Sequence, residues 1–138
     1  MIVVRRGEAR DVVVVRAIQA SSPQAAQWDP ADYPQYDFRV AAEGLRVLGF
    51  LVARTLAAGE CEILNLAVAP DCRRRGVARA LVGSLLEQFE GAVYLEVRAS
   101  NLAARQFYKS FGFQEITVRP QYYESPPEAA IVMKFHSC

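Results

Sequence analysis

The stretch Val68-Ala69-Pro70-Asp71-Cys72-Arg73-Arg74-Arg75-Gly76-Val77-Ala78-Arg79 constrains this chain more than any other. An apolar strand over residues 62–68 runs into Pro70, which has no N–H to give a ladder, so the strand stops there. Arginines fill the turn, and an amphipathic helix follows Gly76. Val77, Leu81, Leu85 and Phe89 recur at helical spacing, and Ala80, Val82 and Leu86 widen the apolar face. The first N–H groups of a helix lack internal partners and sit at its positive end, where a pyrophosphate is well placed. Gly76 and Ala78 keep bulky side chains out of its way, while Arg73, Arg74, Arg75 and Arg79 add positive charge. Taken alone, the Arg-Arg-Arg-Gly run is equally a basic turn in water. The order strand, turn, Gly-x-Ala, helix is what favours an anion site. No Gly-Lys-Ser/Thr follows, as a Walker loop requires, and the Gly-x-Gly-x-x-Gly dinucleotide pattern is absent.

Any anion site must be local, because the formal net charge of the 138 residues is only +1. A chain so close to neutral has no general pull toward nucleic acid or an anionic membrane. With 52% hydrophobic and 22% charged residues it is expected to be globular, one domain over residues 1–138. Cys61, Cys72 and Cys138 are odd in number, far apart and without a C-x-x-C pair, which suggests thiols in a reducing, cytoplasmic setting. A metal site is not expected, since the single histidine, His136, lies near the C-terminal end. No signal peptide and no membrane-spanning apolar run is expected either.

Elsewhere the pattern predicts strands over residues 2–4, 38–42, 48–56, 93–97, 113–118 and 130–135. Turns are expected near Glu43–Gly44 and over residues 57–59, and Gly91 is expected to end the helix over residues 77–89. Ser100 or Asn101 can cap a further helix running to Gly112. Residues 21–36 suggest a loop with a helical turn, and Tyr122, Tyr123, Pro126 and Pro127 a loop between the last two strands. Residues 8–19 are ambiguous: Val12–Val15 favours a strand by propensity, yet the charges around it do not alternate with period two. The order of elements implies a mixed α/β sheet with helices on both faces.

The Arg73-x-x-Gly76-x-Ala78 loop resembles the Arg/Gln-x-x-Gly-x-Gly/Ala hallmark of the GCN5-related N-acetyltransferase (GNAT) superfamily. Several blocks narrow the likeness to its ribosomal-protein-alanine N-acetyltransferase (RimI-type) group. They are Asn65-Leu66-Ala67-Val68-Ala69-Pro70-Asp71, Leu95-Glu96-Val97-Arg98-Ala99-Ser100-Asn101, Phe107-Tyr108 and Phe111-Gly112-Phe113, with Tyr122-Tyr123 ahead of Ala130-Ile131-Val132-Met133. The match is good from about Cys61 to Phe135 and weak before that.

This resemblance implies that residues 8–19 form the first helix, and that the strands carrying Val68 and residues 93–97 are parallel and splay apart to form a CoA cleft. It implies acetyl-CoA as cosubstrate, held by Leu66, Ala67 and Val68, by Arg73 to Arg79 and by Asn101. The Val68 N–H would stabilise the thioester oxyanion. It also implies a peptide or protein N-terminus as acceptor, a ribosomal protein in the RimI-type group, with no direct nucleic-acid or membrane partner.

Glu96 is the implied proton acceptor. A carboxylate within Val93-Tyr94-Leu95-Glu96-Val97 is unexpected as packing, and burial would raise its pKa toward a useful range. The alternative is a glutamate facing outward or paired with Arg98 or another arginine. Tyr108 is the implied proton donor to the CoA sulfur, or else a core aromatic beside Phe107 and Phe111. Asn101 caps a helix, contacts cofactor, or does both. Tyr122 and Tyr123 are implied clamps on the entering peptide, and otherwise surface aromatics. The segment Glu124-Ser125-Pro126-Pro127-Glu128 is shorter than the corresponding RimI-type loop. Trp28 falls in the family's first substrate loop, although a lone Trp is more often a core anchor. Glu62, which with Glu60 flanks Cys61 on another strand, is the reserve base, because some branches of the superfamily place theirs there.

A free α-amine has a pKa of about 7.7–8.0 and lysine about 10.4, so a modest base serves an N-terminus more easily. Two other functions fit the same residues. One is an acetyltransferase for a small amine, and the other is a CoA-binding sensor without catalysis.

Overall fold

The computed structural model describes residues 1–124 and 126–137; Ser125 and Cys138 lie outside the described residues. Two compact units emerge, residues 1–54 with 63–89, and residues 55–62 with 90–138.

In the first unit β1 (Val3–Arg6) pairs antiparallel with β2 (Asp37–Glu43), Val3 opposite Ala42 and Arg6 opposite Arg39. The hairpin turn at Gly44, φ 60°, returns the chain into β3 (Arg46–Ala57), which pairs antiparallel with β2 and neighbours β4 (Glu60–Val68). Residues 47–53 of β3 are buried without interruption, as befits a strand covered on both faces. Phe38, Val40, Leu48, Phe50 and Leu51 fill the core with Tyr33, Leu81 and Leu85.

Helix α1 (Val12–Ala20) forms despite its four consecutive valines. Its entry is fixed from outside the helix. The Arg5 guanidinium grips both Asp11 oxygens at 2.9 Å, and Asp11 accepts from the Glu8 N–H at 2.8 Å. Val15, Ile18 and Gln19 are then buried together at helical spacing, and this burial outweighs the strand preference of valine. Residues 21–36 contain a short 3-10 segment, Pro30–Gln35, capped by Asp29.

Helix α2 (Val77–Gln88) buries Val77, Leu81, Val82 and Leu85, as its spacing predicts. Its end differs from expectation. Phe89 closes it in an extended conformation, and Gly91 instead opens the next strand at φ 129°. A Cβ at Gly91 would collide with the Gly59 carbonyl oxygen, which accepts from the Ala92 N–H at 2.9 Å. Close backbone approach explains this glycine, not helix capping.

In the second unit the start of β4 pairs parallel with β5 (Gly91–Arg98), through Glu60–Ala92, Cys61–Val93 and Glu62–Tyr94 alone. Each strand continues beyond those three pairs. β5 then pairs antiparallel with β7 (Pro127–Ser137) from Gly91–Ser137 to Arg98–Ala130, and β7 with β6 (Gln114–Glu124). The class is therefore mixed α/β, with parallel and antiparallel pairing.

Tyr122 and Tyr123 do not lie in a loop. They belong to β6, with Tyr123 opposite Glu128 and Glu124 opposite Pro127. An irregularity between Arg119 and Tyr123 accommodates Pro120, and Pro127 stands at the first position of its strand, so neither proline interrupts the ladder. Helix α3 (Leu102–Phe111) starts at Asn101, whose side chain accepts from the Ala104 N–H at 3.2 Å, and ends at Gly112, φ 105°. No helix among the described residues is long and apolar enough to cross a membrane.

Candidate active site

The end of β4 and the start of α2 form a candidate cluster within the first unit. Ala67 is buried and Leu66 and Val68 are half-buried, while the Ala69 N–H donates to Leu48 O at 2.8 Å. Gly49 on β3 allows this approach: a Cβ there would lie 2.9 Å from Ala67 O and 3.0 Å from Val77 Cγ1. Gly76 caps α2 in the left-handed region, φ 81°, and no side chain caps the helix. The Gly76 carbonyl accepts from the Ala80 N–H at 3.0 Å, and the first-turn N–H groups ahead of it have no partner within the helix. Arg74 also adopts positive φ, 65°. Left-handed residues in such a turn make a concave array of N–H groups suited to an anion. The site is thus built from backbone, and a pyrophosphate fits its donor set.

The arginines differ in what they do. Arg75 reaches both Glu43 oxygens at 2.9 Å, and Arg46 holds Asp71 at 2.7 and 2.8 Å. These two pairs fasten the turn to the β2–β3 hairpin. Glu43 is held below the usual carboxylate range by Arg75, and Asp71 likewise by Arg46. Arg73 and Arg74 are exposed and make no ion pair among the described residues. Arg79 is exposed and Ala78 half-buried on the first turn of α2. Cys72 is a buried thiol beneath the turn, and Cys61 is buried on β4.

A separate cluster lies within the second unit. Along β5 burial alternates, and Glu96 falls on the half-buried face with Tyr94 and Arg98. Its side chain is 15% exposed and pairs with Arg119 Nη1 at 3.2 Å. Interaction with the same carboxylate is the largest cause that raises the Tyr122 pKa; burial and the nearby charges of Glu96 and Glu62 add to this. Tyr123 is pushed up to about 12, chiefly by burial and then by Glu96. The Arg98 guanidinium sits 4.3 Å over the Tyr123 ring and pairs with Glu128 at 3.4 Å. Glu128 also accepts from the Ser100 N–H. Glu96, Tyr122 and Tyr123, picked from the sequence, therefore come together, and Glu62 acts on the same tyrosine. Arg119 was not picked. An arginine in a strand rich in surface residues carries no mark that singles it out.

Tyr108 on α3 is 7% exposed, with Phe107 and Phe113 rings at 5.2 and 5.4 Å. Burial raises its pKa well above the ordinary tyrosine value, so it keeps its proton at neutral pH. Asn101 is confirmed as the helix cap. Trp28 is 51% exposed, so it is not the core anchor that a lone Trp usually is. Its carbonyl accepts from Gln19 Nε2 at 2.7 Å.

The model of the acetyltransferase (GNAT) family matches residues 12–113. The [ribosomal protein bS18]-alanine N-acetyltransferase of Escherichia coli (strain K12) is 44% identical over 80 residues, 54% of this chain and 54% of that protein. The match thus spans about half the length of that curated relative. The crystal structure of the ribosomal-protein-S18-alanine N-acetyltransferase from Escherichia coli superposes with a TM-score of 0.86 at 29% identity, covering 99% of this chain and 94% of that one. Chaetomium thermophilum Naa20, solved in complex with a bisubstrate analogue, gives a TM-score of 0.83 at 25% identity, covering 96% and 85%.

Proposed function

This chain belongs to the acetyltransferase (GNAT) family, and from that premise we propose that it moves an acetyl group from acetyl-CoA to the N-terminal α-amine of a peptide or protein. The observation that carries the reading is the α2 N-terminus. A left-handed Gly76 opens it, no side chain caps it, and the strand leading into it ends at Val68.

In this reading the N–H groups from Gly76 onward, with Arg73 and Arg74, hold the pyrophosphate of acetyl-CoA. Leu66–Val68 offers a strand edge to the pantetheine arm, and the Val68 N–H stabilises the carbonyl oxygen as it gains charge. The amine attacks the thioester carbon, a C–N bond forms and the C–S bond breaks. Glu96 takes the ammonium proton, directly or through water, and Tyr108 gives a proton to the departing sulfur. Asn101 keeps its capping role beside the cofactor. Tyr122, Tyr123 and Trp28 contact the acceptor. The cytoplasm is the setting, where Cys61 and Cys72 stay reduced.

The α-amine fits because one base is enough: at neutral pH roughly a tenth of such amines are already neutral, against well under a thousandth of lysines. Likeness to an enzyme named for the alanine terminus of ribosomal protein bS18 supports a ribosomal protein as acceptor. The test is an acetyl-transfer screen of peptides with different first residues, run beside N-terminally blocked lysine peptides and free polyamines. Transfer to unblocked N-termini is expected. Product from blocked lysine peptides or polyamines alone would overturn the α-amine reading. Calorimetric titration with acetyl-CoA that gave no heat would overturn the enzyme reading itself.

A further inference from the structure

Residues 21–29 have no regular structure, yet buried amides hold their backbone in place. The Asn65 carboxamide, 5% exposed on β4, meets both polar groups of Ala26: Oδ1 accepts from the Ala26 N–H at 3.2 Å and Nδ2 donates to Ala26 O at 3.0 Å. The carboxamide thus mimics the pair of hydrogen bonds that opposed residues exchange in an antiparallel ladder. The same Oδ1 accepts from the Leu66 N–H at 3.0 Å. Nδ2 is 3.1 Å from both Gln19 Oε1 and the Tyr33 hydroxyl, and Tyr33 also donates to Gln19 Oε1. Gln19, 4% exposed, completes the grip by donating from Nε2 to Trp28 O. One buried amide cluster thus fixes Ala26 and Trp28 on one side and Leu66 on the other.

Each of these atoms has a partner, which a buried polar cluster needs if it is to hold a single arrangement. An apolar residue at position 65 would fill the space without registering anything. The cluster joins two segments with different proposed tasks: the strand edge at Leu66–Val68 for acetyl-CoA and the exposed Trp28 for the acceptor. We propose that Asn65 is a positioning residue that sets the acceptor loop against the cofactor strand, so that peptide recognition depends on its carboxamide. The role rests on the acetyl-transfer reading above.

Two variants test it. Asn65→Asp keeps the shape and the Oδ1 bonds to Ala26 and Leu66 but loses the Nδ2 donations. Tyr33→Phe keeps the core ring and removes one hydroxyl. Each is assayed for acetyl-CoA affinity by calorimetry, for peptide KM and kcat, and for amide exchange at residues 26–28. The loss of a buried hydrogen-bond partner is expected to raise peptide KM about tenfold in Asn65→Asp, with a smaller rise in Tyr33→Phe. Acetyl-CoA affinity should stay within about threefold, against the tenfold change that each 1.4 kcal/mol would bring. Exchange at Ala26 should quicken in both. Peptide KM and exchange unchanged in either folded variant would overturn the positioning role. So would a loss of acetyl-CoA affinity that parallels the rise in KM, which marks mere destabilisation. If Asn65→Asp fails to fold, Tyr33→Phe alone decides. Wild-type protein without turnover would sink the acetyl-transfer reading and this role with it, a result distinct from a wild type that turns over and variants that match it.

Discussion

Arg119 Nη1 stands 3.2 Å from Glu96 Oε1, and the carboxylate so held also raises the pKa of Tyr122. The candidate base therefore sits within a polar cluster, with its partners drawn from β6. Glu96→Gln preserves the shape and leaves a carbonyl oxygen for Arg119 and Tyr122, so the fold should survive. Loss of a general base is expected to lower kcat by about a hundredfold or more while acetyl-CoA affinity stays near wild type. Steady-state kinetics and calorimetry on the same preparation check both halves. Unchanged kcat removes Glu96 from the mechanism.

The tyrosines beside Glu96 give a pH signature. Tyr123 is pushed up to about 12 in the folded protein, against about 10 for an unfolded tyrosine, and Tyr122 is raised in the same direction. Their contribution to stability is fully present below the unfolded value. Between pH 10 and 12 the unfolded chain releases protons that the folded chain retains, so stability falls as pH rises through that window. Denaturant unfolding at pH about 10, about 11 and about 12 (the lower edge, the midpoint and the upper edge of that range) should show the decline, and Tyr123→Phe should reduce its slope. Ultraviolet titration of the folded protein that ionised every tyrosine near pH 10 would refute the shift.

Local chemistry made the candidate anion turn legible in the sequence. Pro70 and Gly76 act on the backbone directly, and α2 repeats with a period that its own residues set. What the local pattern left open or misread was settled by distant partners. The helical state of Val12–Val15, left open by propensity and implied only by the family resemblance, has its entry held by Arg5 on Asp11, a contact that no propensity encodes. Gly91 has the composition of a helix stop, but its reason is the Gly59 carbonyl. Tyr122 and Tyr123 suggest a loop among prolines until β7 supplies pairing through Glu128. Glu96 stood out because its own strand is apolar, whereas its partner Arg119 did not. Asn65 was visible as a motif residue, but the amide cluster that uses it joins four separate segments.

The arginines of the turn should separate by experiment. Arg74 is exposed at positive φ and makes no ion pair among the described residues, whereas Arg75 is engaged by Glu43. Arg74→Gln is expected to weaken acetyl-CoA binding about three- to tenfold at low salt, with the difference shrinking as salt screens the pyrophosphate. Arg75→Gln should cost less direct attraction, because its charge is already met by Glu43, and its effect should track that of Glu43→Gln. Calorimetry at two ionic strengths compares all three. Equal, salt-independent losses for Arg74→Gln and Arg75→Gln would show that neither acts through charge.

Gly49 tests whether the strand proposed to meet the cofactor is held by backbone contact alone. It lies on β3 under Ala67 O and Val77 Cγ1, with room for a hydrogen but not for a methyl group. The nearest atom is a main-chain oxygen, which cannot rotate away. Gly49→Ala must therefore push β4 or the start of α2, and overpacking of this kind costs about 1–3 kcal/mol. Because the displaced atoms belong to Ala67 and to the first residue of α2, acetyl-CoA affinity should fall together with thermal stability. At Gly83, midway along α2, a Cβ would meet nothing within 4 Å. Gly83→Ala should instead raise stability by about 0.5–1 kcal/mol through helix propensity and leave affinity unchanged. Calorimetric melting and titration of the two variants side by side separate a steric demand at one glycine from the general cost of any glycine. A Gly49→Ala protein that matched wild type in both measurements would show that β3 does not set the position of this strand.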